Sequence, residues 1–228
     1  KKMKKEIPLF KVFMAVTAAE EVGKVLNSGF IGQGSKVDEF ETQLTDYFQH
    51  PYITTLNSAT SAEHLALHLL KKPREKRSYA PQGAGYSFEE FWPGINPGDE
   101  VLCTSLTCTA SNWPVLANGF KIKWVDIDPK TLNMDLDDLE RKISPSTKAI
   151  MLVHWGGYPN DLDRIKRIQE KCKSLYGFSP AVIEDCAHSM GSKFKGKLLG
   201  NHGNICTYSL QAIKHITSID GGFMIMPH

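Results

Sequence analysis

Short apolar runs alternate with amphipathic segments along the second half of the chain. The runs lie at 101–104, 122–127, 149–154, 181–185, 204–209 and 222–226, and we expect each of them to form a strand. Several, such as Val-Asp-Ile, Ile-Met-Leu-Val and Ala-Val-Ile-Glu, are nearly continuous, which is typical of strands buried on both faces. The pattern predicts an α/β fold in which helices cover the faces of a sheet.

The clearest helix pattern lies upstream, within residues 57–70. Apolar side chains recur there at i, i+3, i+4, i+7 and i+8, which is the spacing of one helix face: Ala62, Leu65, Ala66, Leu69 and Leu70. Asn57 and Ser58 are suited to cap the first turn. We expect further helices at 15–28, 37–48, 135–142 and 162–176.

Residues 71–100 do not fit this alternation. The segment is rich in proline, glycine and charge, and we expect a long loop or excursion. Loops of this length are typically functional or mobile, and a solvated insertion without a role is the alternative. Its aromatic residues indicate that part of it packs against the rest of the protein: Tyr79, Tyr86, Phe88, Phe91 and Trp92.

Composition narrows the class of protein. The chain has 228 residues, 41% of them apolar, which suits one large or two small globular domains rather than disorder. A net charge of +2 gives no reason to expect nucleic-acid binding. No run is long enough for a membrane span or a signal peptide, so we expect a cytoplasmic protein. Five cysteines without a Cys-x-x-Cys pair predict reduced thiols.

Three places carry candidate chemistry. Lys214 lies in the turn between two predicted strands, near Ser209 and a glycine pair, and could form a Schiff base, although most loop lysines are surface charges. Asp185 ends a predicted strand, where a carboxylate could hold a pyridinium nitrogen or could cap the next turn. His188 follows it and could be purely structural. The small polar residues at 57–61 open the best helix, where free N–H groups favour phosphate.

Two further patterns resemble metal-binding motifs. The acidic run at 126–138 lacks the EF-hand spacing, because Lys130 and Thr131 stand where an acidic or amide residue and a glycine are needed. His64 and His68 share a helix face, but Leu65 occupies the glutamate position of a His-Glu-x-x-His motif. The sequence indicates no metal site.

Taken together, seven segments resemble the DegT/DnrJ/EryC1/StrS family of sugar aminotransferases, and they occur in the family order. The most specific are an Asp-x-x-His strand end at 185–188 and a Ser-x-x-x-x-Lys turn at 209–214. The resemblance covers nearly the whole chain apart from residues 71–94. The seven segments are GFIGQGSKVDEFE, NSATSAEHLAL, INPGDEVL, KIKWVDIDPKTLNMD, VHWGGYPNDLD, VIEDCAHSMGS and YSLQAIKHITSIDGG.

The resemblance implies the large domain of a fold type I transferase dependent on pyridoxal 5′-phosphate, with a mostly parallel sheet flanked by helices. Lys214 would form the internal aldimine and shuttle a proton, Asp185 would pair with the pyridine nitrogen, and His188 would contact the ring. The phosphate would bind at Ser209 and at the N–H groups of the helix start. The implied cofactor-binding residues are Ser58, Ala59, Thr60, Cys108, Asp185, His188, Ser209, Gln211 and Lys214.

A related branch of sugar dehydratases carries histidine where Lys214 stands, so the lysine favours transamination. The implied reaction moves an amino group, expected from glutamate, onto a keto group of a nucleotide-linked sugar for polysaccharide or glycosylated-metabolite biosynthesis. The family builds each site from two chains, which implies a homodimer. An enzyme of the same fold that acts on an amino acid or aminobenzoate precursor is another hypothesis.

Two departures from the family pattern bear on this interpretation. The family stacks an aromatic ring on the cofactor from the loop at 106–110, where this chain has Cys108, so either Trp113 substitutes or the stack is lost. Family members also continue beyond the lysine into a C-terminal small domain, which we expect to be absent from residues 1–228. The alternative hypothesis is therefore an inactive cofactor-binding fragment that acts as a binding or scaffold module.

Overall fold

A computed structural model of the chain describes residues 7–8, 10–79 and 88–227. Its central sheet has seven strands in the spatial order β1-β11-β10-β7-β6-β4-β5. These strands are β1 (Ile53–Leu56), β4 (Glu100–Thr104), β5 (Lys121–Val125), β6 (Thr147–Val153), β7 (Ala181–Asp185), β10 (Ile205–Ser209) and β11 (Gly222–Ile225). Two short hairpins lie outside this sheet, formed by β2 (Arg74–Tyr79) with β3 (Phe88–Trp92), and by β8 (Lys193–Phe194) with β9 (Lys197–Leu198).

The sheet is mostly parallel, as predicted. Strands β10, β7, β6, β4 and β5 pair in parallel, whereas β11 runs antiparallel to both β10 and β1. Every strand except β11 therefore points in the same direction, and their carboxyl ends meet along one edge of the sheet. The flanking helices are α1 (Ala18–Ser28), α2 (Ser35–Phe48), α3 (Ala59–Leu69), α4 (Thr109–Ala117), α5 (Leu136–Lys142) and α6 (Leu162–Tyr176).

Two apolar clusters cover the two faces of the sheet. Successive residues of the central strands alternate between them, so that Leu102 and Ile150 pack in one cluster while Val101 and Met151 pack in the other. This confirms the prediction of strands buried on both faces for β4, β6 and β7. The same prediction is wrong for the Val-Asp-Ile run at 125–127. Strand β5 lies at the edge of the sheet and ends at Val125, and Asp126 is exposed.

The predicted face of α3 is partly wrong. Ala62, Ala66 and Leu70 are buried, but Leu69 is 47% exposed and Leu67 is fully buried instead. The helix packs against β10 and β11 on one side and α4 on another, so a broader and rotated stripe is covered. Ser58 is the N-cap, as predicted: its side chain accepts the Ser61 N–H at 3.1 Å.

The segment at 71–100 is not wholly a loop, since β2 and β3 pair across it as an antiparallel hairpin. The predicted packing of its aromatic residues holds for Trp92, which is 5% exposed and donates from Nε1 to the Leu70 carbonyl at 2.8 Å. Tyr86 lies outside the described residues.

Helix α4 was not predicted, because its sequence is short and contains Pro114. All five cysteines are free thiols, as predicted. None of the helices in the described ranges is long and apolar enough to cross a membrane.

A glycine fixes the distance between α3 and the sheet. A Cβ built on Gly222, the first residue of β11, would lie 2.5 Å from the Ala59 backbone nitrogen and 2.7 Å from the Tyr208 carbonyl oxygen. Backbone atoms cannot yield as a side chain can. Only glycine therefore lets the start of α3 lie directly against the strand ends.

We expect Gly222→Ala to lower the free energy of unfolding by about 1–3 kcal/mol, because the added methyl group overpacks this backbone contact. Urea unfolding followed by circular dichroism measures the change. The matched control is Gly23→Ala in α1, where a Cβ meets nothing within 4 Å. That variant is expected to be neutral or stabilised by up to about 1 kcal/mol. Equal effects of the two substitutions would contradict the close-approach argument.

Candidate functional site

A cavity of about 400 Å³ opens at the edge where the carboxyl ends of the strands meet. All nine residues predicted to bind a cofactor line it, although they come from distant parts of the chain. Ser58, Ala59 and Thr60 start α3, and Cys108 directly precedes α4. The others end or follow strands β7 and β10. Ligands of open α/β sheets bind at this edge, so the position itself favours a binding site.

The start of α3 forms one wall. The N–H groups of Ala59 and Thr60 belong to the first turn and have no intrahelical acceptor, and the helix end carries a partial positive charge. Ser209, at the end of β10, lines the same cavity, and its Oγ accepts the Gln211 N–H at 3.3 Å. This wall has the donors that an anionic group such as a phosphate requires.

Asp185 lies at the end of β7 and is 6% exposed. Its Oδ2 accepts a hydrogen bond from Ser111 Oγ at 2.6 Å, and its Oδ1 accepts the Ala187 N–H at 2.9 Å. Thr107 Oγ1 and Ser111 Oγ are 2.7 Å apart, which extends the network toward the loop before α4. Two donors therefore hold the carboxylate in one orientation. Ser111 was not predicted, because it lies on α4, a helix that the apolar periodicity does not reveal.

Lys214 is half-buried in the turn that joins β10 to β11. The backbone N–H of Lys214 donates to the Gln211 carbonyl at 2.9 Å. The backbone N–H of Leu210 donates to the Gly221 carbonyl at 2.9 Å and closes the turn. Gly221 adopts φ 138°, a conformation that other residues rarely adopt. Lys214 thus lines the cavity from a turn whose backbone is held by internal hydrogen bonds.

Two aromatic rings lie beside each other in the cavity lining. His188 and Trp155 make an edge-to-face contact with ring centroids 5.5 Å apart, and His188 Nδ1 accepts the Gly156 N–H at 3.4 Å. Burial, and next the positive charge of Lys214, lower the pKa of His188. Trp155 was not among the predicted residues. Trp113 is 62% exposed and lies outside this cavity, which does contain Cys108.

The sequence profile of the DegT/DnrJ/EryC1/StrS aminotransferase family matches residues 14–77 and 89–227. The chain belongs to this family. The match continues to residue 77 and resumes at residue 89, so the unmatched internal segment is 78–88.

One relative of this chain is GDP-perosamine synthase of Escherichia coli O157:H7. The two are 34% identical over 97% of this chain and 53% of the synthase. AtS13 from Actinomadura melliaura has 47% identity and a TM-score of 0.86 over 100% of this chain and 55% of that one. The sugar aminotransferase CalS13 from Micromonospora echinospora has 43% identity and a TM-score of 0.85, covering 98% and 55% of the two chains.

A fourth relative is a GDP-4-keto-6-deoxymannose-3-dehydratase solved with a trapped PLP-glutamate geminal diamine. It has 28% identity and a TM-score of 0.79, with 97% of this chain and 51% of that chain covered. The chain spans about half the length of the curated relatives it matches.

A buried pair of polar residues joins the ends of β6 and β7 beside the cavity. His154 Nε2 and Glu184 Oε2 are 2.7 Å apart, and both side chains are fully buried. The Asn160 N–H donates to His154 Nδ1 at 3.0 Å, so the ring proton lies on Nε2 and is donated to Glu184. Burial raises the pKa of Glu184, but the hydrogen bonds from His154 and Asn204 outweigh it and hold this pKa below its ordinary value.

Cys186 lies next to this pair. Its Sγ and one ligand atom each of His154 and Glu184 are within 4.8 Å of one another, a spacing that could hold a metal ion. The sequence pattern does not reveal this group. The hydrogen bonds with Asn160 and Asn204 already satisfy the polar atoms of the pair. The arrangement is thus accounted for as a support of β6 and β7, whose ends carry the residues of the cavity.

We expect Glu184→Gln to lower the free energy of unfolding by about 2–3 kcal/mol at pH 7, because a charged acceptor of two buried hydrogen bonds is lost. The folded-state pKa of Glu184 lies below 4.5, so its contribution is present above that pH and is lost as the pH falls through the folded value. Urea unfolding of the parent and the variant at pH 7 and at pH 4 measures the loss of stability and its decrease at low pH.

The control is Glu170→Gln, which changes an exposed residue of α6 and is expected to stay within about 0.5 kcal/mol of the parent. A loss for Glu184→Gln that grew as the pH fell would contradict the assignment of an ionised, stabilising carboxylate.

Proposed function

We propose that this chain forms the cofactor-binding large domain of an aminotransferase that uses pyridoxal 5′-phosphate and acts on a nucleotide-linked sugar. The observation that carries the proposal is the single cavity that joins Lys214, Asp185 and the start of α3. An amine, a fixed carboxylate and a phosphate-type anion site match the aldehyde, the ring nitrogen and the phosphate of this cofactor.

The residues present fit the cofactor in type and position. Its phosphate would bind at the N–H groups of Ala59 and Thr60, with hydroxyl donors from Ser58 and Ser209 and with Gln211 nearby. Asp185 would hold the ring nitrogen, and the half-buried His188 would contact the ring. Once bound, the cofactor supplies an electron-poor ring that stabilises negative charge on the substrate carbon bearing the amino group.

The protein's own residues carry the remaining tasks. Asp185, oriented by Ser111 and the Ala187 N–H, keeps a proton on the ring nitrogen, because a fixed carboxylate favours the charged form of a partner. Lys214 Nζ would hold the cofactor through its aldehyde carbon, with loss of water. As a free amine, Nζ would be the base that takes a proton from the substrate carbon and the acid that gives it back.

Support for the substrate class comes from the relatives. One is named GDP-perosamine synthase, another is described as a sugar aminotransferase, and the dehydratase structure contains glutamate trapped on the cofactor. We therefore propose glutamate as the amino donor and a nucleotide-linked keto sugar as the acceptor. Lys214 favours transamination over dehydration. A cytoplasmic homodimer that serves polysaccharide or glycosylated-metabolite biosynthesis completes the proposal.

The substitution Lys214→Ala tests the proposed covalent bond between Lys214 Nζ and the cofactor. The parent chain mixed with pyridoxal phosphate is expected to be yellow, with a visible absorbance band that borohydride abolishes and that changes when glutamate is added. The variant is expected to lose this band and all transamination, because Lys214 is the one lysine that lines the cavity among the described residues. The control is Lys197→Ala, a lysine of β9 outside the cavity, which should keep the band.

A parent chain that stays colourless would contradict the proposal. That result would favour the alternative, an inactive fragment that acts as a binding or scaffold module.

Asp185→Asn tests the ring-nitrogen contact. We expect the variant to bind the cofactor and keep its colour, because Lys214 and the α3 wall are intact. Proton abstraction is expected to slow by about two orders of magnitude or more, since a neutral amide no longer favours the protonated ring. Stopped-flow absorbance after mixing with glutamate measures the rate. A normal rate would refute the assigned role.

A further inference from the structure

Two histidines of α3 have no part in the proposed function. His64 and His68 are four residues apart within this helix, and both side chains are exposed. Residues four apart on a helix lie on the same face, with their Cβ atoms about 5–6 Å from each other. The fold therefore places two imidazole rings beside each other on successive turns of α3.

Both histidines border a second cavity, of about 360 Å³, between α3 and α4. Its lining consists of Thr60, Ser61, His64, Leu65, His68 and Trp113. Thr60 also lines the cofactor cavity, but neither histidine does. The pair thus lies close to the start of α3 without belonging to the site described above.

The rings of the pair are available for a ligand. Asn118 Nδ2 donates to the His64 carbonyl at 3.2 Å, and the Lys71 N–H donates to the His68 carbonyl at 3.2 Å. These bonds engage only the backbone of the two histidines. Among the residues that the structure describes, neither imidazole ring has a hydrogen-bond or ion-pair partner.

We propose that His64 and His68 together bind one divalent transition-metal ion of the Zn²⁺, Ni²⁺ or Cu²⁺ class. Imidazole nitrogen suits these ions, whereas Mg²⁺ and Ca²⁺ prefer oxygen ligands, and no carboxyl group is among the residues that line the cavity. Leu65 stands where a hydrolytic His-Glu-x-x-His site has its glutamate, so the site binds the ion without a general base. Water completes the coordination, and the ion links two successive turns of α3.

Calorimetric titration of the chain with Ni²⁺, without pyridoxal phosphate, measures the site. We expect His64→Ala and His68→Ala each to weaken Ni²⁺ binding by about a hundredfold, because each variant leaves one ligand of a chelating pair. The matched control is His202→Ala, a histidine between β9 and β10 outside this cavity, which should stay within about twofold of the parent. Mg²⁺ should not bind at the pair.

A double variant separates the spacing of the histidines from their number. His68→Ala combined with Leu69→His keeps eight histidines in the chain but moves one ring by about 100° around the helix. Position 69 is 47% exposed, so the helix can carry a polar ring there. We expect Ni²⁺ binding as weak as that of His68→Ala alone, with an unchanged circular dichroism spectrum.

Trp113 provides a second readout, because it lines the same cavity and is 62% exposed. Cu²⁺ quenches the fluorescence of an indole ring that lies close to it. We expect Cu²⁺ to quench part of the fluorescence of the parent. Either histidine variant should lose this quenching, and Trp113→Phe should lose it while still binding Ni²⁺.

Three results would overturn the inference. They are a parent chain that shows no saturable Ni²⁺ binding, binding that His64→Ala and His68→Ala leave unchanged, and binding that the double variant retains. Since none of these measurements involves pyridoxal phosphate, each of these results would leave the proposed function standing.

Discussion

The close contact between the start of α3 and the strand ends is the constraint on which the site depends. Gly222 has no Cβ, so the backbone at Ala59 can approach β11 directly. That approach places the positive end of a helix at the edge where β6, β7 and β10 end. The anion wall, Asp185 and the Lys214 turn then border one cavity rather than three separate surfaces.

The strand direction explains how residues far apart in the chain meet at this edge. Because all strands except β11 run the same way, the residue that follows each strand arrives on the same side of the sheet. Thr107 and Cys108 follow β4, Trp155 follows β6, and Ser209 ends β10. A residue placed just after a buried apolar run is therefore a site candidate in this class of fold.

Much of the fold and the cavity lining could be predicted from these rules. Buried strands such as β6 and β7 have continuous apolar runs, and the Asp-x-x-His and Ser-x-x-x-x-Lys spacings mark where two of them end. The hairpin of β2 and β3 and the helix α4 could not be predicted. Neither shows a clear periodic apolar face, because β2 is polar and charged, Glu89 and Glu90 interrupt the aromatic residues of β3, and α4 is short and contains Pro114. The burial of Trp92 at the end of β3 depends on tertiary contacts, which periodicity does not encode.

Trp155 and Ser111 were missed for a related reason. Trp155 lies in a short turn after β6 where only the strand direction reveals its neighbours, and Ser111 became a candidate only once α4 was visible beside β7. A single hydroxyl group in a helix gives no signal in the sequence. Its importance follows from the 2.6 Å contact with Asp185, a residue 74 positions away.

Glu63 and Glu184 show how such contacts decide chemistry that residue type cannot. Both are glutamates with 1% or less exposure, and burial raises the pKa of each. At Glu184 the donors His154 and Asn204 reverse that effect, so the group is an anion that stabilises the sheet below the cavity. At Glu63 burial, and next the charge of Asp185, favour the protonated form. The same side chain is thus an anion in one place and favours its protonated form in the other, because its neighbours differ.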